Sequence, residues 1–170
     1  MKLKKNLVLL GMMGSGKSTI GKLIARKLNL RFIDTDFEIE KKASMKITEI
    51  FDKKGEEFFR DLEEKVLTKA LDLQNCIIAL GGGSFVNERI RKLAIDKSIT
   101  FWLSWGKTTL IKRISQSKKR PIAYKLSKIE LTDLIKKRAK IYTKAKHKIL
   151  CEKKTKSQII GMILKIYENE

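Results

Sequence analysis

An apolar run, Asn6-Leu7-Val8-Leu9-Leu10, leads directly into Gly11-Met12-Met13-Gly14-Ser15-Gly16-Lys17-Ser18, which matches GxxxxGK[ST] at every fixed position. The run reads as a short strand buried on both faces. From Lys17 to Leu28, the residues Ile20, Leu23, Ile24 and Leu28 recur at helical spacing. A glycine loop between a strand and a helix can turn successive N–H groups toward an anion, and the helix adds its positive dipole end. Lys17 is placed to reach the β- and γ-phosphates of a nucleotide, and the Ser18 hydroxyl to ligate Mg²⁺.

The rest of the chain repeats this alternation. Arg31–Asp34 is a second short strand, completing a strand–helix–strand unit. Residues 37–73 hold almost no turn signal except Gly55 and read as two or three helices. Residues 76–80 form a third strand, stopped by Gly81-Gly82-Gly83. A helix over 88–95, a strand over 99–103 and a helix over 108–115 follow. Residues 115–127 are polar and basic, carry the only proline, Pro121, and read as a mobile loop over the site. A helix over 130–145, a fifth strand over 147–151 and a helix over 157–167 close the chain. The expected architecture is α/β: a parallel sheet with helices on both faces, in a single domain spanning 1–170.

Composition removes several function classes. No apolar run approaches the 18 or so residues a membrane span needs. The basic start at residues 1–5 precedes an apolar stretch too short for a signal peptide, so a cytoplasmic protein is expected. Cys76 and Cys151 form no CxxC pair and His147 is the only histidine, so a zinc site would lack ligands. The two thiols sit in apolar runs and are expected to be buried and reduced. The net charge of +20 raises the question of nucleic acid. The excess is mostly lysine, spread along the whole chain, and no nucleic-acid-binding signature accompanies it. It reads as a solvated surface that helps attract polyanions such as ATP. A GTPase would need an NKxD, which is absent; Asp52-Lys53-Lys54-Gly55 spells DxxG but lies between helical segments. Large motor or transport ATPases need far more chain. A kinase acting on a small molecule remains.

The acceptor side is carried by three features. Asp34-Thr35-Asp36 ends the second strand, where ligands of open α/β sheets sit. Asp34 suits a Mg²⁺-bound water, and Asp36 suits a hydroxyl whose proton it can take, although either could also cap a helix. Gly81-Gly82-Gly83 permits a ligand to approach the backbone. Arginine is scarce in this lysine-rich chain, so Arg60, Arg120 and Arg138 invite planar, bidentate recognition. On a helix, Glu56 and Glu63 would flank Arg60 and orient its fork.

In this order the motifs resemble shikimate kinase: Gly11 to Thr19, Asp34 to Asp36, Ile50-Phe51 with Gly55-Glu56, Phe59-Arg60 and Glu63, Gly81 to Gly83, Arg120-Pro121, and Arg138 with Tyr142. The resemblance spans nearly the whole chain. It implies a five-stranded parallel sheet of order 2-3-1-4-5, as in nucleoside monophosphate kinases. It implies a monomer with two small-molecule partners, ATP and shikimate, and no membrane or specific nucleic-acid partner. ATP would be held by Gly14, Ser15, Gly16, Lys17, Ser18 and Thr19, with Arg113 against the adenine. Mg²⁺ would be held by Ser18 and, through water, Asp34. Shikimate would be bound by Asp36, Arg60, Gly82, Gly83 and Arg138, with Phe51 and Phe59 packed nearby. The catalytic set would be Lys17, Asp36 and Arg120, with Arg120 swinging in on a lid over about 115–127 and residues of about 37–73 forming the acceptor-binding helices. The sequence departs from the family at Ser44, where a glycine is expected, and at Arg120-Pro121-Ile122, where RPL is usual. Gluconate kinase, the alternative for a hydroxylated carboxylate, carries a histidine after the second strand that Phe37-Glu38-Ile39-Glu40 lacks.

Overall fold

A computed structural model describes residues 5–116 and 126–170. Arg120, Pro121 and most of the expected lid lie outside the described residues. Five strands form one parallel sheet: β1 (Asn6–Leu10), β2 (Arg31–Asp34), β3 (Cys76–Ala79), β4 (Ser98–Ser104) and β5 (His147–Leu150), in the order β2-β3-β1-β4-β5. This is the order expected. β1 is the central strand, pairing Leu7 with Ile77 on one side and with Ile99 on the other.

Successive side chains of a strand point to opposite faces, and β1 shows why both faces are covered. Val8 and Leu10 pack with Ile78, Leu80, Leu67 and Leu71 in one core cluster. Leu7 and Leu9 pack with Ile77, Phe101, Ile24 and Ile163 in another. The second face is covered by α1 (Lys17–Leu28) and by α7 (Lys156–Tyr167). The first is covered by α3 (Ile47–Asp72), α4 (Glu88–Lys97), α5 (Lys107–Ser115) and α6 (Lys128–Tyr142). A third, smaller cluster of Ile39, Ile50, Phe59, Leu62 and Val66 joins α2 (Thr35–Ala43) to α3.

Local chemistry sets the boundaries. Ser127 and Glu130 form a capping box that starts α6 at Lys128, two residues earlier than periodicity suggests, and α6 ends at Tyr142 rather than at 145. Gly55 adopts φ 82°, ψ 173° and splits α3 in two, so residues 35–72 hold three helical segments. The DxxG string ends on this break, well away from any strand end. Ser44 ends α2 at φ 51°. A left-handed C-terminal residue is where glycine fits without strain, which accounts for the glycine expected there. Buried Asn6 ties β1 to its neighbours. It donates to the carbonyls of Leu71 (3.1 Å) and Leu73 (2.6 Å) and accepts from the Cys76 N–H (2.8 Å). Both cysteines are free and buried. Among the described residues no helix is long and apolar enough to cross a membrane.

Candidate active site

The phosphate loop lies between β1 and α1, with Gly11, Gly14 and Gly16 at φ 142°, 79° and 91°. These are conformations that side chains with a Cβ rarely adopt. Among the described residues, four helices start under a side-chain cap from Asp34, Asn87, Ser127 or Thr155. Helix α1, like α3 and α5, has no side-chain cap bond, and its N-cap is Gly16. Coming straight after the glycine loop, its first N–H groups and dipole end form the kind of start that takes an anion. Lys17 is buried and curls over the loop, its Nζ donating to the Gly11 carbonyl at 2.9 Å and the Met12 carbonyl at 3.1 Å. Ser15 Oγ is buried with no hydrogen-bond partner, so this loop also holds an unspent polar atom. Thr19 follows as an exposed residue of the first turn.

At the next strand end, Ser18 Oγ donates to Asp34 Oδ2 at 2.6 Å, while Asp34 Oδ1 caps α2 through the Phe37 N–H at 3.4 Å. The two residues expected at the metal are thus in direct contact. A hydroxyl and a carboxylate are hard oxygen donors of the kind Mg²⁺ takes alongside water and phosphate oxygens. Among the described residues no group of three or more His, Cys, Asp or Glu could hold a metal by itself.

Asp36 stands in the first turn of α2 and faces the glycine triplet. Each glycine has its own reason. A Cβ on Gly81 would lie 2.3 Å from Asp36 Oδ1 and 2.8 Å from Ser84 Oγ. A Cβ on Gly82 would lie 3.2 Å from the Met13 nitrogen, in the phosphate loop. Gly83 lies against Arg138, whose Nη2 would be 3.4 Å from such an atom. The Gly82 carbonyl accepts from Arg138 Nη1 at 3.1 Å and from the Tyr142 hydroxyl at 2.5 Å. Thr35, buried between the two aspartates, accepts from the Gly81 N–H at 3.0 Å and donates to the Ala79 carbonyl at 3.3 Å. Phosphate loop, Asp36 and Arg138 therefore meet along one short stretch of backbone.

Arg60 reaches the same region through an ion pair. Its Nη1 donates to Glu63 Oε2 at 2.8 Å, and its Nε and Nη2 donate to Glu56 Oε1 at 3.3 and 3.2 Å. Exposed pairs such as Lys53–Glu49 and Lys92–Glu88 are worth little. Glu63 differs, because it is 2% exposed and its other oxygen accepts from Ser84 Oγ at 2.6 Å. Removing one partner of a buried charge typically costs about 3–5 kcal/mol, so this network fixes Arg60. Burial alone would lower the Arg60 pKa; Glu63 and Glu56 more than offset it. Phe51 and Phe59 meet at 4.6 Å between centroids with their rings tilted by 34°, and Arg60 lies over Phe59 at 5.2 Å. Phe59 is buried in the third cluster, while Phe37, one residue past Asp36, is 61% exposed.

On the far side of the phosphate loop, Arg113 lies over the ring of Trp105 at 3.6 Å, with Nη1 3.5 Å from the Gly14 carbonyl. Glu56 and Glu63 hold Arg60 as its helical spacing suggested. Thr35 and Tyr142 stood inside the DTD and R…Y strings with no role assigned, and Ser84 and Trp105 carried no signal.

Tyr142 gives a measurable consequence. Burial pushes its phenol from the usual 10 up to about 12, partly opposed by Arg138. The folded state thus favours the neutral phenol. That contribution is complete below pH 10 and is lost as pH rises from about 10 through about 12, to a limit of about 3 kcal/mol. Urea midpoints of the parent chain should therefore fall more steeply over this window than those of Tyr142→Phe. Parallel curves would remove Tyr142 as the cause.

A phosphate loop at the end of a central parallel strand, beside the Asp36 carboxylate and two arginines, defines a P-loop kinase of small molecules. A structure of deoxyadenosine kinase from M. mycoides, 19% identical, has the same general fold, with a TM-score of 0.65 over 95% of this chain and 98% of that one. A family model described as "Shikimate kinase" matches residues 13–168, and the chain belongs to that family. A shikimate kinase of Persephonella marina is 42% identical over 161 residues, covering 94% of this chain and 97% of the relative. The structure of shikimate kinase from Acinetobacter baumannii in complex with shikimate is 30% identical, with a TM-score of 0.90 over 98% of this chain and 94% of that one. The structure of the enzyme from Bacteroides thetaiotaomicron is 31% identical, with a TM-score of 0.87 over 96% and 98%.

Proposed function

We propose that the chain transfers the γ-phosphoryl group of ATP to the 3-hydroxyl of shikimate, giving shikimate 3-phosphate and ADP, a step of chorismate and aromatic amino-acid biosynthesis. The observation that carries this reading is the glycine triplet, whose backbone and neighbours bring Asp36, Arg138 and the phosphate loop to one place. Family membership and the likeness to a shikimate-bound relative support it.

The chemistry follows from the placement. Asp36 accepts a hydrogen bond from the attacking hydroxyl and takes its proton as the new P–O bond forms. The γ-phosphorus parts from the β–γ bridging oxygen, which leaves with ADP. Arg60 and Arg138 take the acceptor's carboxylate, for which paired planar forks are suited. Lys17 leaves the Gly11 and Met12 carbonyls for the β- and γ-phosphates, and Ser15, Gly16 and the α1 N-terminus supply further donors. Ser18 and the carboxylate of Asp34, the latter through water, would hold Mg²⁺, which supplies charge neutralisation on the phosphates when bound. The family pattern gives Arg120 the role of countering charge on the transferring group. Most of this is positioning and electrostatic stabilisation rather than covalent chemistry. A cytoplasmic location, where ATP is abundant, accords with this reading.

The test is ADP release with ATP and Mg²⁺ across shikimate, gluconate, nucleoside monophosphates and no acceptor. Turnover is expected only with shikimate, and is expected to vanish on chelation of the metal by EDTA. A flat response to shikimate would sink the assignment, and a response to gluconate instead would move the acceptor to the alternative family.

A further inference from the structure

Trp105 lies immediately after β4, half-buried, and touches two parts of the nucleotide side at once. Its indole N–H donates to the Ser15 carbonyl at 2.9 Å, inside the phosphate loop. Its ring carries the Arg113 guanidinium, with the central carbon 3.6 Å from the ring centroid. Arg113 itself borders the loop: a Cβ on Gly14 would lie 3.5 Å from the Arg113 Cβ. The turn that bears the indole is fixed from outside. Glu152 accepts from the Gly106 N–H at 2.8 Å and from the Thr109 hydroxyl at 2.7 Å, and these bonds hold its carboxylate below the usual range.

We propose that Trp105 is a positioning residue for the nucleotide, holding the Arg113 guanidinium and the phosphate loop in one fixed relation. A planar guanidinium has two faces. The indole takes one, which leaves the other as the surface on which a planar base can stack. The indole N–H meanwhile holds the Ser15 peptide, one residue from the glycine at the start of α1. Base and phosphates are thereby received by groups that share a single rigid side chain. This inference rests on the proposed function and on the family resemblance, which sets Arg113 against the adenine.

Trp105 also packs against both main core clusters, so a purely structural role must be distinguished. The experiment compares Trp105→Leu, Trp105→Phe, Arg113→Ala and the Trp105→Leu/Arg113→Ala double variant. It reads ADP affinity by calorimetry, KM for each substrate, kcat and melting temperature. Trp105→Leu is expected to weaken ADP and raise KM for ATP by about 10-fold, leaving kcat and KM for shikimate within about twofold. Trp105→Phe, which keeps a ring but loses the N–H, should recover most of this, to within about threefold of the parent. The double variant should bind ADP about as weakly as the weaker single variant, because one side chain acts through the other. A loss of melting temperature with unchanged ADP affinity would overturn the proposal, as would fully additive losses in the double variant. Absence of shikimate turnover in the parent chain would instead remove the function. The ADP comparison would still decide the role of Trp105.

Discussion

Asp36→Asn is expected to lower kcat by about 10²–10⁴-fold, the span associated with loss of a positioned proton acceptor. The amide keeps the shape of the carboxylate, so the 2.3 Å approach that bars a Cβ from Gly81 is unchanged. Asp36 stands in the first turn of α2, while the cap of that helix comes from Asp34. The variant should therefore melt within a few degrees of the parent and bind ADP normally. Single-turnover phosphoryl transfer with shikimate is the measurement. A rate within about fivefold of the parent would reduce Asp36 to a residue that only orients the acceptor.

Gly81→Ala should damage catalysis nearly as much without removing any reacting group. The new methyl would meet Asp36 Oδ1 at 2.3 Å and Ser84 Oγ at 2.8 Å, both movable ends of side chains. The strain is therefore relieved by displacing the Asp36 carboxylate and the Ser84 hydroxyl that donates to buried Glu63, rather than by unfolding. A misplacement near 1 Å can cost about 10²-fold, while the stability loss should stay near 1 kcal/mol. Added to Asp36→Asn, the same methyl should cost little more, since the displaced carboxylate is already gone. Parent-like turnover in Gly81→Ala would mean that the carboxylate works from another position.

The two predictions show what could be read in the sequence. The phosphate loop, the aspartates and the glycine triplet are contiguous strings whose chemistry follows from residue type and from the strand end they terminate. The element order followed from periodicity, and the strand order from the family pattern. The separate purpose of each glycine was not legible. Gly81 answers to Asp36, Gly82 to Met13 and Gly83 to Arg138, and each pairing depends on how β3 lies between β1 and β2. The Ser84–Glu63 bond spans 21 residues and the Trp105–Ser15 bond 90, with no spacing rule to announce either. The starts of α6 and α7 moved by two residues and one residue because capping boxes, which depend on side-chain geometry, override apolar periodicity. Phe59, adjacent to Arg60, is buried against Phe51 and Ile50, a choice of helix face that the break at Gly55 resets.

The Gly82 peptide has a bearing on how the two substrates influence each other. Its carbonyl is held by Arg138 and Tyr142, and a Cβ at this residue would lie 3.2 Å from the Met13 nitrogen. On the proposed reading, one peptide unit is thus the common wall of the donor and acceptor half-sites. An adjustment of the phosphate loop on taking up a nucleotide would then be passed to Arg138, proposed to receive the acceptor's carboxylate. Linkage then requires reciprocity: whatever factor the nucleotide applies to acceptor affinity, the acceptor applies to nucleotide affinity. On that reading, a kinase built on such a wall would not hold its two substrates as independent ligands.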